Sequence, residues 1–216
     1  MAIAFFDLDR TLLDCNSATL WVRREVRLGF MSRRAALQGA SWIALYQTGF
    51  LDVEKVLERT IKGLAGQEEA AVVARSRAFW EEEVSKRIRD EGRQSIDEHR
   101  RSGHRVVLLT TSSAYLSEDV ARHLALDDFL SNRFEVADGR FTGEPLRPLS
   151  YGHGKRELAE TYAASHETAL ADCWFYTDSA ADLPVLEVVG HPVAVHPDPK
   201  LRREAKRRGW PIQEWR

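Results

Sequence analysis

Four short runs rich in β-branched or aromatic residues, at 3–6, 106–109, 174–176 and 193–195, are separated by long stretches with helical periodicity. Strands joined through helices rather than tight turns make a parallel sheet with crossover helices, so this alternation confines the chain to the α/β class. Ser113 is a good N-cap for a helix in which Leu116, Val120 and Leu124 share a face. Leu183, Leu186 and Val189 repeat at helical spacing before Gly190. The pair Asp138-Gly139, set between two short extended runs, predicts a tight hairpin turn.

The first run, Ile3-Ala4-Phe5-Phe6, delivers two carboxylates, Asp7 and Asp9, with Thr11 two places further on. Carboxylates at the end of a buried strand repel each other and resist desolvation, an arrangement suited to a metal ion or a reaction. A strand followed by an Asp-rich turn fits the same residues.

Between 15 and 86 the pattern changes to helix after helix, with no convincing strand. One helix runs to Gly29. A second opens at Ser32 and closes near Gly49. A third opens at Asp52 with Val53, Val56, Leu57, Ile61 and Leu64 on one side, and a fourth has Val73, Trp80, Val84 and Ile88 on a stripe. Four amphipathic helices inserted between the first and second strands predict a small bundle at 15–86, beside a core formed by 1–14 and 87–216. Short hinges are expected near Asp14 and Arg87.

Lys and Arg number 31 against 33 Asp and Glu, which lacks the basic excess of a nucleic-acid binder. No basic leader precedes Asp7, and no apolar run approaches the roughly 20 residues that span a bilayer. Cys15 and Cys173 are too few for a disulfide scaffold and read as packed thiols, so a reduced, cytoplasmic setting is expected. The seven histidines form no metal-ligand spacing. The basic tail from Lys200 reads as a last amphipathic helix closing at Gly209-Trp210.

In an open parallel sheet, ligands bind beyond the carboxyl ends of the strands. The second run ends at Thr110-Thr111-Ser112 before a helix start, which offers a hydroxyl and backbone N–H groups to an anion. The third ends at Asp178-Ser179-Ala180-Ala181-Asp182, two carboxylates one helical turn apart and suited to a hard cation. Between them, Gly152-His153-Gly154-Lys155 puts an ammonium at the beginning of a helix. Singly, each island reads as a helix cap or a surface lysine; their order along the chain gives them a common chemistry.

That set, DLDRT at 7–11, LLTTS at 108–112, Lys155 and DSAAD at 178–182, resembles the haloacid dehalogenase superfamily, in its phosphoserine-phosphatase-like branch. The resemblance covers nearly the whole chain and implies a Rossmann-like three-layer core with a central parallel sheet plus an all-helical cap. It makes Asp7 the nucleophile that forms an aspartyl-phosphate, and Asp9 the acid and base. It gives Mg2+ to Asp7, Asp9 and Asp178, and phosphate binding to Thr110, Thr111 and Lys155, with Asp182 and Thr11 in support. An acid at the position of Asp9 favours phosphatase or phosphotransferase chemistry, because haloalkanoate dehalogenases do not need one and transport ATPases carry lysine there. One departure is Thr177, where many relatives have glycine; the expectation is an altered local turn with metal binding retained.

In this branch the cap selects the leaving group. Phosphoserine phosphatases usually have a glutamate where this chain has Asn16, and an amide pairs poorly with a substrate ammonium. Arg23, Arg24, Arg27, Arg33 and Arg34 read as a solvated basic face, or as carboxylate recognition through a residue such as Arg23. Trp21, Trp42, Tyr46 and Phe50 read as bundle packing, or as an apolar lining for the leaving group. The expected function is Mg2+-dependent hydrolysis of small phosphomonoesters. The alternatives are a phosphotransferase passing the phosphoryl group to an alcohol and a non-catalytic phospho-ligand sensor. Phosphoserine, histidinol phosphate, phospho-amino alcohols and lipid head groups all stay open as substrates, with no nucleic-acid partner and no stable membrane insertion expected.

Overall fold

The computed structural model describes residues 2–34 and 53–215. The described strands are β1 (Ile3–Phe6), β2 (Arg105–Ser113), β3 (Asp128–Ala137), β4 (Arg140–Leu146), β5 (Trp174–Thr177), β6 (His191–Val195) and β7 (Ile212–Gln213). They form one sheet in the order β4-β3-β2-β1-β5-β6-β7. Every neighbouring pair is parallel except β3 with β4. From β1 the chain builds outward through β2 and β3, then returns to the other side of β1 with β5, β6 and β7. The strand order therefore reverses at β1, and the crevice of the sheet opens at its carboxyl end.

Side chains alternate across the pleat, which divides the apolar core into two layers. Ala4, Phe6, Val106, Leu108 and Tyr176 face one side and Ile3, Phe5, Val107, Leu109 and Phe175 the other, all buried. The first layer is covered by α4 (Asp90–Arg101) and α5 (Ala114–His123), which contribute Ile96, Leu116, Val120 and Leu124. The second is covered by α6 (His153–Ser165), the single-turn α7 (Leu183–Leu186) and α8 (Pro199–Arg208). Helices on both faces bury β1 completely, the reason its sequence is a continuous apolar run. This is the expected three-layer α/β sandwich.

The two connections that lead to and from the helical stretch lie side by side. Leu13 pairs with Ile88 in an antiparallel bridge. The Asp14 N–H donates to the Arg87 carbonyl at 3.0 Å and the Arg89 N–H to the Leu12 carbonyl at 2.9 Å. Between them the described residues form α1 (Ser17–Arg27), α2 (Val53–Lys62), α3 (Glu69–Phe79) and a wide turn at Trp80–Val84. The β3–β4 hairpin docks on this stretch. Gly66 N–H donates to Phe141 O at 2.8 Å, Phe141 N–H to Gln67 O at 3.0 Å and Glu69 N–H to Gly139 O at 2.9 Å. Arg140 pairs with Glu68, Arg147 with Glu58, and the Tyr115 hydroxyl donates to Glu69. At the hairpin tip, Asp138 and Gly139 have φ of 50° and 72°, the paired positive values of the turn expected there.

Several expected elements shift. The stripe on the fourth predicted helix is Val72, Ser76, Phe79, Trp80 and Val84, with Val73 only half-buried. The wide turn at Trp80–Val84 breaks the helical phase and leaves Ile88 in the extended return. The third predicted helix stops at Lys62, before Leu64. The helix predicted from Ser32 to Gly49, the start at Asp52, and Trp42, Tyr46 and Phe50 fall largely or wholly outside the described residues. Among the described residues, no helix is long and apolar enough to cross a membrane.

Candidate active site

Asp7 continues β1 by one residue: its N–H donates to the Tyr176 carbonyl of β5 at 2.9 Å. The chain then winds through one wide turn, Leu8–Leu12, closed by the Leu13 N–H on the Leu8 carbonyl at 2.9 Å. Arg10 takes a left-handed φ of 60° inside it. The turn carries Asp9 to the start of α1, where the Ser17 N–H donates to Asp9 Oδ1 at 2.7 Å. A carboxylate there complements the positive end of the helix. Asn16 is the N-cap of α1, its amide oxygen accepting from both the N–H and the hydroxyl of Thr19. Thr11 is fully buried, and its hydroxyl has no hydrogen-bond partner among the described residues.

The other islands meet Asp7 at the same end of the sheet. Thr110 is buried in β2, and its hydroxyl accepts from the Ser112 N–H at 3.2 Å. The carbonyl of Thr111 accepts from Asn132 at 2.6 Å, and the same Asn132 amide accepts from the Ser150 N–H at 2.8 Å. Asn132 thus ties the end of β2 to the loop that launches α6. Lys155, in the first turn of α6, is only 2% exposed. Its ammonium donates to Asp7 Oδ1 at 2.7 Å and to Asp182 Oδ2 at 2.9 Å. The surface lysine that the sequence also allowed is absent. Asp178 follows β5, and its carbonyl accepts from the Asp198 N–H at 2.8 Å. Asp198 in turn accepts from Ala180 N–H at 2.7 Å and caps α8 through Lys200 and Leu201 N–H, both at 2.8 Å. Asn132 and Asp198 escaped the sequence reading. Asp198 had a signal, an Asp directly before a proline at a helix start; Asn132 had none.

The electrostatics are those of a site short of positive charge. Burial pushes the Asp7 carboxyl up to about 7; Lys155 opposes the rise, while Asp182 and Asp9 add to it. Burial, followed by Asp7 and Asp182, pushes Asp178 up to about 8. Asp9 is also raised by burial, against the Ser17 hydrogen bonds. Lys155 stays charged: burial disfavours its ammonium, but Asp182 and Asp7 more than compensate and raise it above the ordinary lysine range.

These residues fit a magnesium ion. Among the described residues no three acid, histidine or cysteine side chains converge as a closed cage, because Asp9 is turned to Ser17 and Asp182 to Lys155 and Thr177. What stays available is the pair Asp7 and Asp178, crowded buried carboxylates that a dication would relieve. Hard oxygen donors in small number, completed by water, are the ordinary provision for Mg2+.

The helical stretch is less acidic in its demands. Arg23 is exposed on α1. Arg24, by contrast, is buried and pairs with Glu82 at 2.9 Å, and Arg27 pairs with Glu83 at 2.6 Å. The solvated basic face therefore does not include Arg24. Trp21 packs edge-on against Phe79 with ring centroids 5.3 Å apart, as bundle packing requires. Burial, with Asp14 and Asp9 nearby, pushes the Cys15 thiol up to about 11 and makes it a poor nucleophile.

The family model described as haloacid dehalogenase-like hydrolase matches residues 4–187. A phosphoserine phosphatase of Mycobacterium tuberculosis is 32% identical, over 100% of this chain and 71% of its own length. A histidinol-phosphatase of Neisseria meningitidis is 29% identical, over 97% of each chain. The crystal structure of a protein of unknown function from Bordetella pertussis superposes with a TM-score of 0.90 at 28% identity, over 98% of this chain and 97% of that one.

Proposed function

The chain belongs to the haloacid dehalogenase-like hydrolase family and is a phosphoric monoester hydrolase; we propose that it cleaves small phosphomonoesters through a phosphoryl group carried on Asp7. The observation that carries this reading is the meeting of Asp7, Asp9, Lys155 and Asp178 at the point where the strand order reverses. Asp7 attacks phosphorus in line with the leaving oxygen, forming an aspartyl-phosphate. Asp9, whose carboxyl is raised by burial, holds the proton that the leaving alcohol needs and later takes one from water. Lys155 and the hydroxyls of Thr110 and Thr111 hold the phosphoryl oxygens. Mg2+, held by Asp7, Asp178 and the main chain at Asp9, would offset the repulsion between the acids and an incoming dianion. Asp182 orients Lys155, and Thr11 supports the turn that carries Asp9.

We assign the choice of leaving group to the helical stretch that follows β1, where Asn16 at the start of α1 and the exposed Arg23 are the candidates. With its amide oxygen committed to Thr19, Asn16 gives no anchor for an ammonium, which favours esters whose alcohol does not present one at that place. The test is phosphate release from a panel that includes phosphoserine, histidinol phosphate and phospho-amino alcohols, with Mg2+ and with chelator. Magnesium-dependent release that disappears in Asp7→Asn supports the reading; release unaffected by Asp7→Asn overturns it.

A further inference from the structure

We propose that Thr177 is a positioning residue for Lys155, acting through Asp182. The inference rests on the reading of Asp7 and Lys155 given above and adds a residue to it. Thr177 is the last residue of β5 and has no exposed surface. Its hydroxyl accepts from the Ser179 N–H at 3.2 Å, which leaves its single proton for Asp182 Oδ2 at 2.6 Å. The same Asp182 oxygen accepts from Lys155 Nζ at 2.9 Å, and Lys155 reaches Asp7 at 2.7 Å. Three short bonds therefore run in series from Thr177 to the carboxylate that meets phosphorus.

The series matters because its middle members could otherwise move. A lysine ammonium is a point charge on a flexible stem, and its direction is set by what it bonds. Asp182 is 2% exposed, so no bulk water replaces a lost donor, and networks of this kind hold their geometry only when every member is satisfied. Without the Thr177 hydroxyl, the Asp182 oxygen keeps Lys155 as its only donor in this network, and its carboxylate is free to turn about its own bond. Lys155 then follows Asp182 instead of staying aligned on Asp7. The ester itself is still gripped by Thr110 and Thr111, so the loss falls on the transfer step.

The experiment compares Thr177→Val, nearly the same shape without the hydroxyl, with Thr177→Ser, which restores it, in steady-state phosphate release with Mg2+. Thr177→Val is expected to lower kcat by about tenfold while KM stays within about twofold, and Thr177→Ser to keep kcat within about twofold of wild type. In an Asp182→Asn background Thr177→Val should cost less than about twofold more, because the route to Lys155 is already cut. Should Thr177→Val not fold, Thr177→Ala makes the same comparison. Wild-type kcat in Thr177→Val, no rescue by Ser, or full additivity with Asp182→Asn would overturn the proposal. The last result would place the effect in the Ser179 turn instead. Absence of phosphate release from the wild type on every ester refutes the reading of the site itself, a different outcome from turnover that ignores Thr177.

Discussion

Lys155 Nζ stands 2.7 Å from Asp7 Oδ1, and both side chains are buried. The pair is not a surface ion pair worth a few tenths of a kcal/mol; it neutralises carboxylates that water does not reach. Removing one partner of a buried pair strands the other, at a cost of about 3 kcal/mol. Lys155→Met should abolish turnover and lower stability by about that amount. The sign with pH follows from Asp7, whose carboxyl already sits at about 7. Below that value Asp7 is protonated with or without Lys155 and the deficit shrinks; above it the wild type gains an ion pair that the variant lacks and the deficit grows. Thermal melts of the two proteins on either side of pH 7 check this, and a deficit independent of pH would contradict it.

A second titration lies at the far end of the sheet. His99 in α4 bonds the Tyr176 hydroxyl and His104, each at 2.9 Å. Burial, helped by His104 and His191, lowers its pKa from 6.5 to about 4. The unfolded chain binds a proton there that the folded chain refuses, so stability is complete above 6.5 and is lost as pH falls toward 4. His99→Gln should flatten that part of the melting profile relative to wild type. An unchanged slope would show that other groups carry the acid sensitivity.

Much of this architecture was legible in the sequence, for physical reasons. The buried β1 could be read because a strand covered on both faces is apolar throughout, and the hairpin because Asp138-Gly139 supplies the two positive φ values that few residue pairs accept. Helix α4 was not: DEGRQSIDEHRR contains one large aliphatic residue, Ile96, and lies on the sheet through it and the buried His99. The single-turn α7 was expected to run on to Val189, but the chain leaves the helix at Leu186 and buries Val189 without it. At the site, Asp7, Asp178 and Lys155 could be picked out because the first two directly follow a strand and the third lies in the first turn of a helix; β2, by contrast, does not end at Thr110 but runs on to Ser113. Asn132 was invisible, since a polar residue in the middle of a strand announces nothing until its two backbone partners, Thr111 and Ser150, are brought beside it. The Arg24 pairing likewise depends on Glu82, 58 residues away.

Gly154 immediately precedes Lys155, and the space beside its α-carbon is taken. A Cβ there would lie 2.0 Å from the Leu149 carbonyl oxygen, a backbone atom that cannot swing aside. Gly154→Ala should open the loop at 149–154, destabilise the fold by about 2 kcal/mol and displace Lys155 with loss of turnover. Gly103, at φ +73° with nothing within 4 Å, offers the contrast. Gly103→Ala should cost about 1 kcal/mol in backbone strain and leave kcat intact. Melting temperature and kcat measured on both variants decide this; equal loss of turnover in both would refute the local account.

The most direct measurement for the central claim is intact-protein mass spectrometry after rapid quenching of turnover, run on the wild type and on Asp9→Asn. With an aryl phosphate whose leaving group needs no proton, loss of Asp9 slows hydrolysis of the intermediate more than its formation, and the account predicts that one phosphoryl group accumulates, maps to the peptide carrying Asp7, and is released by hydroxylamine as an acyl phosphate is. Phosphate release that proceeds with no phosphoryl group ever found on Asp7, or with the group found on another residue, would contradict it.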